Sequence, residues 1–168
     1  MKRTALLSPC GQYRLALTRD WAAGPRALFI GVNPSTADAD AEDATTRKMT
    51  GFCRAWGFGG YSLVNLYAFR STDVRGLAEH YGQVTWDQER REVKAIRDAF
   101  GRADLIVPCW GDIGKIPREL RRRAAFVADL LDERPAHRRI ECLGFTNGGS
   151  PRHPLMLAYA TPLEPWRR

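Results

Sequence analysis

The sequence predicts a three-layer α/β/α domain on a central, mostly parallel four-stranded sheet, with an extra β element at its N-terminal end. Four apolar runs have the length and near-continuous hydrophobicity of strands buried on both faces: residues 27–32 (ALFIGV), 61–67 (YSLVNLY), 103–110 (ADLIVPCW) and 139–145 (RIECLGF). Helical patterns separate them, and strands alternating with helices imply parallel pairing with helices on both faces. A length of 168 residues is enough for one buried core and too short for two, so residues 1–168 are expected to form a single domain.

The elements can be justified in chain order. Residues 13–19, YRLALTR, alternate polar and apolar as a half-buried strand does, between the turn-like SPCG and AAGP, and supply the N-terminal β element. The first helix, 46–56, places Met49, Phe52, Cys53 and Trp56 on one face. The second, 85–100, opens with a capping box from Thr85 to Gln88 and repeats Trp86, Val93, Ile96 and Phe100 at helical spacing. The third, 117–132, has Pro in its first turn and aligns Leu120, Ala124, Val127 and Leu131.

Composition narrows the function classes. Hydrophobic residues make up 44% and charged residues 27%, with no low-complexity tract, which excludes a largely disordered chain. The first apolar run is too short for a signal-peptide core, and nothing approaches the roughly twenty apolar residues of a membrane span. A cytoplasmic monomer without a membrane partner is expected. Cys10, Cys53, Cys109 and Cys142 contain no closely spaced pair, which argues for reduced thiols and against an iron–sulfur cluster; no metal and no cofactor are expected. Lys and Arg outnumber Asp and Glu by 26 to 19, a net charge of +7 that suits phosphate as a partner and equally serves solubility.

In open parallel sheets, ligands bind beyond the carboxyl ends of the strands. Here those ends are polar. The first run leads into Gly31-Val32-Asn33-Pro34-Ser35; the second contains Asn65 and exits through Arg70-Ser71-Thr72. The third ends at Trp110-Gly111-Asp112, and the fourth in a loop holding Gly148, Gly149, Ser150, Pro151, Arg152 and His153.

GVNPS after the first strand, LVNLYAFR on the second, IVPCWG on the third and PRHPL after the fourth, in this order over about residues 27–157, resemble the motifs of the uracil-DNA glycosylase superfamily. The chain also resembles a divergent bacterial branch with an NPST…PRHPL signature. The resemblance implies hydrolysis of the N-glycosidic bond of uracil or another damaged or modified base in DNA, as in base excision repair, after the nucleotide is flipped into a pocket. Under it Asn33 orients the attacking water and His153 steadies the departing base anion. Gly31, Val32, Pro34 and Ser35 form the base-binding loop, and Asn65 reads the base edge, accepting from N3–H and donating to O4. Asp38 and Asp43 are candidates to hold the water or stabilise the sugar cation, and Arg70, Gly149, Ser150 and Arg152 are candidate DNA contacts.

Each assignment has a structural competitor. Asn33 suits an Asx-Pro turn, Asp43 or Thr45 suits the cap of the first helix, Asp40 suits a solvated loop, and Asn65 suits an internal hydrogen bond to a loop backbone. His80 and His137 read as surface residues. Arg121, Arg122 and Arg123 offer phosphate contacts or a solvated helical face. Ser35 stands where the superfamily has glycine and Leu155 where serine follows His-Pro. The aromatic expected to stack on the flipped base is not evident, leaving Phe52, Trp56, Tyr67 and Phe69 as substitutes, with Phe52 and Trp56 equally suited to the core. Two other functions stay open: an enzyme of the same fold acting on a free or modified nucleoside or nucleotide, and a non-catalytic nucleic-acid-binding module.

Overall fold

A computed structural model describes the chain except for Thr36, residues 134–138 and Arg168; of Val74 and Arg75 only the backbone is described. His137 therefore lies outside the described residues. The elements run β1 (Lys2–Leu7), β2 (Arg14–Asp20), β3 (Arg26–Gly31), α1 (Ala44–Ala55), β4 (Gly60–Asn65), α2 (Val74–Tyr81), α3 (Trp86–Gly101), β5 (Leu105–Pro108), α4 (Arg121–Asp132), β6 (Arg139–Cys142) and β7 (Glu164–Pro165).

The four apolar runs are the centre of the sheet. β4, β3, β5 and β6 lie side by side and parallel. The sheet is larger than the four strands expected, because antiparallel strands extend it at both edges to seven, in the order β1-β2-β4-β3-β5-β6-β7. β2 pairs with β4, β1 closes a hairpin on β2, and the two-residue β7 pairs with β6. Neither outer strand carries a readable pattern. β1 is exposed along nearly its whole length and is held by backbone pairing, and β7 is only Glu164–Pro165.

Alternation along the strands divides the core. Leu28, Ile30, Val64 and Ile106 pack with residues of α2, α3 and α4 on one face, while Ala27, Phe29, Tyr61, Leu63, Leu105 and Val107 pack with Met49 and Cys53 of α1 on the other. Helices thus cover both faces. α2 was not anticipated, being short and interrupted by Gly76. The expected box at α3 is only half made. Thr85 accepts from Gln88 N–H at 3.4 Å, whereas the Gln88 side chain donates forward to Glu92 at 3.2 Å. Trp86, expected on the apolar face of this helix, is 79% exposed, and Glu92 is buried in the next turns.

The hairpin matters for the site. Leu6 pairs with Ala16 and Leu7 with Arg14, so Leu15 is the extra residue of a bulge. A bulge breaks strict alternation and re-aims the side chain next to it. Arg14 is thereby buried among residues of the α1 side, together with Leu17 and Arg19. Phe29, fully buried, meets Tyr61 edge-on at 5.5 Å between ring centroids and stacks with Trp56 at 6.1 Å. Phe29→Ala is expected to cost about 3–5 kcal/mol in denaturant unfolding, because it leaves a cavity where three rings meet; a loss below about 1 kcal/mol would contradict this packing.

Candidate functional site

β3 and β4 end side by side, with Gly31 in register with Asn65. Beyond that pair, on the α1 side, lies a cavity of about 230 Å³. It brings together seven residues singled out in the sequence: Gly31, Val32, Asn33, Ser35, Asp43, Asn65 and His153. A Cβ on residue 31 would stand 2.8 Å from Asn65 Oδ1, too close for any side chain without a shift. Glycine here leaves the Asn65 amide open to the cavity.

Asn65 is 6% exposed, and its buried Nδ2 has no hydrogen-bond partner. The internal bond to a loop backbone considered above is not formed. A buried amide donor left open costs on the order of 1–3 kcal/mol, a penalty a ligand acceptor can remove. Asn33 behaves differently, since its Nδ2 donates to Ser71 O at 2.7 Å and to Pro34 O at 3.2 Å. Ser71 N–H returns a bond to Pro34 O at 3.0 Å. The amide nitrogen of Asn33 and the carbonyl of Pro34 therefore lock the loops after β3 and β4 together, which leaves Oδ1 as the group of Asn33 suited to a ligand or water. Pro34 is buried and does not line the cavity.

The two candidate carboxylates separate. Asp43 is the N-cap of α1: it accepts from Thr46 N–H at 2.7 Å, and Thr46 Oγ1 accepts from Asp43 N–H at 3.0 Å. It also lines the cavity, as does Thr45 in the first turn of the helix. Asp38 is outside the lining. Its carboxylate accepts from the N–H groups of Ala41 and Asp40, which hold it below the usual carboxylate range, and Arg70 lies 3.4 Å away. Arg70, expected on DNA, is thus engaged with Asp38, and Asp40 lies exposed in the turn.

His153 is carried by a loop pinned to the end of β5. Gly111, at φ +79°, donates to Pro151 O at 2.9 Å, and its virtual Cβ would sit 3.4 Å from His153 Cβ. His153 Nδ1 accepts from Leu155 N–H at 3.3 Å. The neutral ring therefore carries its proton on Nε2. Burial holds the ring below its ordinary pKa, opposed by the charge of Asp43. Gly149 and Arg152 are exposed on the same loop, whereas Ser150, expected on DNA, is 6% exposed and accepts from Ile113 N–H at 3.2 Å. Its hydroxyl is part of the loop's own framework.

None of the four substitute aromatics lines the cavity. Phe52 is fully buried, Tyr67 is 2% exposed with its hydroxyl donating to Leu120 O, and Trp56 packs against Phe29 and Phe52. Phe69 stacks on His80 at 3.6 Å between centroids, and His80 Nε2 lies 2.9 Å from Tyr13 Oη. His80 is therefore a half-buried packing residue and not a plain surface one. The apolar wall is formed by Met49, Leu63 and Val32. The three consecutive arginines also diverge: Arg121 donates to Ile116 O and Gly114 O, Arg122 is an exposed pair with Glu89, and Arg123 is buried beside Glu89 and Glu92.

Sequence reasoning missed Arg14, Met49 and Leu63 as lining residues, and set Ser71 and Thr72 on the polar rim without giving them a role. Met49 and Leu63 read simply as core. Arg14 gave no usable signal, since in the alternating pattern of residues 13–19 it reads as an outward polar position, and the bulge that turns it inward is a tertiary feature. A larger groove of about 680 Å³ is lined wholly by residues of α3 and α4, away from the strand ends.

Residues 14–155 match the family described as Protein of unknown function (DUF1643). The chain belongs to the DUF1643 family. No curated protein and no solved structure matches it. The DUF1643 span begins at Arg14 and ends at Leu155, so every lining residue falls inside it. In this DUF1643 chain no group of three or more His, Cys, Asp or Glu among the described residues could hold a metal ion, and no helix among them is long and apolar enough to cross a membrane. The four cysteines are free thiols, and burial pushes those of Cys53, Cys109 and Cys142 up, so they stay protonated near neutral pH.

The buried neutral ring of His153 makes a pH prediction. Its folded pKa is depressed below the ordinary 6.5, so the folded state binds fewer protons than the unfolded state and stability falls as pH drops through that value. His153→Asn keeps an acceptor for Leu155 N–H and removes the titration. Its stability relative to wild type should improve from about pH 7.5 to about pH 5. Burial also lowers His80 while it raises Glu92, so the difference between variant and wild type is the quantity to read. A pH-independent difference in urea unfolding would show that the ring is not held neutral.

Proposed function

We propose that this chain is a DNA glycosylase-type hydrolase, cleaving the N-glycosidic bond of uracil or another damaged or modified base in DNA, with a role in base excision repair. The observation that carries this reading is the buried, unpartnered amide nitrogen of Asn65, opened to a small cavity by Gly31 and accompanied there by the neutral ring of His153. The cavity volume, about 230 Å³, lies below the roughly 300–1,000 Å³ of sites that enclose a drug-sized ligand. It suits one ring, with the rest of a polymer outside.

In the proposed reaction the flipped base presents N3–H to Asn65 Oδ1 and O4 to Nδ2. As the glycosidic bond breaks, positive charge builds on the sugar and negative charge on the base. Nε2–H of His153 donates to the base oxygen that gains charge. Asn33 Oδ1 accepts from the attacking water and holds it toward the sugar carbon, and the carboxylate of Asp43 stabilises the cation. Water supplies the new C–O bond on the sugar; its proton ends on the departing base, so no covalent enzyme intermediate is required. Met49 and Leu63 offer an apolar wall in place of an aromatic platform, with the soft Met49 sulfur suited to a ring face.

The rim fits a duplex partner. Leu155 and Met156, 39% and 90% exposed, follow His153 after the buried Pro154 and can fill the gap left by an extruded base. Arg152 on the same loop is free to meet a phosphate.

Oligonucleotides carrying uracil, hypoxanthine, xanthine, thymine mismatches or oxidised pyrimidines, incubated with the protein and cleaved with alkali at abasic sites, test the reading directly. Release of at least one base is expected, and none at any pH would refute it. Asn33→Ala and His153→Ala should each slow that release by roughly tenfold to a thousandfold with substrate binding changed far less. Asn65→Asp removes the donor to O4, so release of uracil should fall at least tenfold relative to cytosine at a similar melting temperature. An unchanged ratio would remove Asn65 from base reading.

A further inference from the structure

We infer that the cavity recognises an oxyanion, and that Arg14 is the residue that does so. This rests on the reading of the cavity as a base pocket and names a further property of what enters it: a negatively charged oxygen group, either on an acidic, oxo-rich base or on a phosphate beside it.

Arg14 is 2% exposed yet lines the cavity. Its Nη1 donates to Ala37 O, while its Nε is buried with no partner. Burying a guanidinium is costly unless its charge is matched and its donors are used. Arg19, five residues on in the same strand and equally enclosed, shows how this chain treats a purely structural arginine. Its Nε also makes no hydrogen bond, but it lies 3.5 Å from the Glu42 carboxylate, and its Nη2 donates to Asp38 O at 2.6 Å, so the charge has a paired anion. Among the described residues no carboxylate forms an ion pair with Arg14. Asp43 acts on it at longer range, while Arg70 and Arg19 oppose the charge. Burial lowers its pKa to about 10, so the group is still a cation at neutral pH.

The surroundings complete an oxyanion site. Ser35, Thr45, Ser71 and Thr72 also line the cavity, the Ser71 hydroxyl being already engaged in donating to Asp73 O at 2.8 Å. The N-terminus of the twelve-residue α1 opens beside them, with no acidic residue in its first turn after the Asp43 cap. The unpartnered Asn65 amide, 6% exposed, adds an uncharged donor to the same space. The bulge at Leu15 gives the arrangement its origin, since regular alternation would have turned Arg14 away from this face. In base release the ligand gains negative charge as it departs, so the guanidinium favours the product side of the reaction as well as an acidic substrate.

The test is equilibrium binding to the full chain by calorimetry at neutral pH, with four probes: uracil, orotate (uracil bearing a carboxylate), deoxyuridine and deoxyuridine monophosphate. Inorganic phosphate serves as competitor. At least one charged probe should bind tenfold or more tightly than its neutral counterpart. A gain for orotate places the charge on the base, and a gain for the monophosphate with competition by phosphate places it on the sugar side. Arg14→Gln should erase the gain and Arg14→Lys should retain part of it, because the point charge survives without the fork. Charged and neutral probes binding within threefold of each other would overturn the inference, as would an Arg14→Gln protein, folded by its melting temperature, that keeps the preference. If Arg14→Gln does not fold, the wild-type probe ratios and Arg14→Lys decide the matter. Failure of the glycosylase reading is seen separately, as intact oligonucleotides with the charge preference preserved.

Discussion

The site depends on one backbone constraint, the parallel register that sets Gly31 of β3 beside Asn65 of β4. Parallel strands in register end together, so their last residues share one rim and their side chains face the same side. With any larger residue at 31, a Cβ would press on the Asn65 amide oxygen at 2.8 Å. The register thus creates the juxtaposition, and glycine keeps it open. Everything else at the rim is arranged around this pair.

Two locks hold the loops that complete it. Asn33 and Pro34 tie the exit of β3 to Ser71 after β4, and Gly111 ties the exit of β5 to Pro151 before His153. These bonds use backbone carbonyls at strand ends, which need partners once buried. Among the described residues the locks do not use the oxygen of Asn33, the Nε2–H of His153 or the Asn65 amide nitrogen. Asp43 combines both roles, capping α1 with one carboxylate oxygen and placing its charge near His153 and Arg14.

Buried charge distinguishes the two faces of the sheet. On the helical side opposite the cavity, Glu92 is 2% exposed and is surrounded by donors: Tyr81 at 2.8 Å, Gln88 at 3.2 Å and the nearby Arg123. That network joins α2, α3 and α4 into one layer and is satisfied from within, apart from one Arg123 nitrogen. On the α1 side, Arg14 Nε and Asn65 Nδ2 lack hydrogen-bond partners in residues that line a cavity, while Arg19 Nε, also without a hydrogen bond, has the Glu42 carboxylate beside it. Satisfied buried groups hold a fold together, whereas unsatisfied ones at a cavity ask for a ligand.

By itself the sequence determined the parallel centre of the sheet, the three longer helices and most of the rim, because apolar runs, helical spacing and Gly/Pro/Asn punctuation are local signals. Asn33, Asn65 and His153 line one cavity because strand ends of a parallel sheet and the loops that follow them meet by rule, which the order of the motifs makes legible. The sequence also admitted the cap reading of Asp43 through the spacing to Thr46. Tertiary structure alone decided the rest. The edge strands β1 and β7 arise from backbone pairing without a side-chain pattern, and Gly76 hid α2. Ser150 and Arg70 are polar residues in polar loops, and only the fold shows that Ile113 N–H and Asp38 have already taken them. Arg14 is the clearest case: its position in an alternating strand points one way, and a single extra residue at Leu15 turns it into the cavity. Register shifts of that kind depend on which strand lies alongside, which no local pattern encodes.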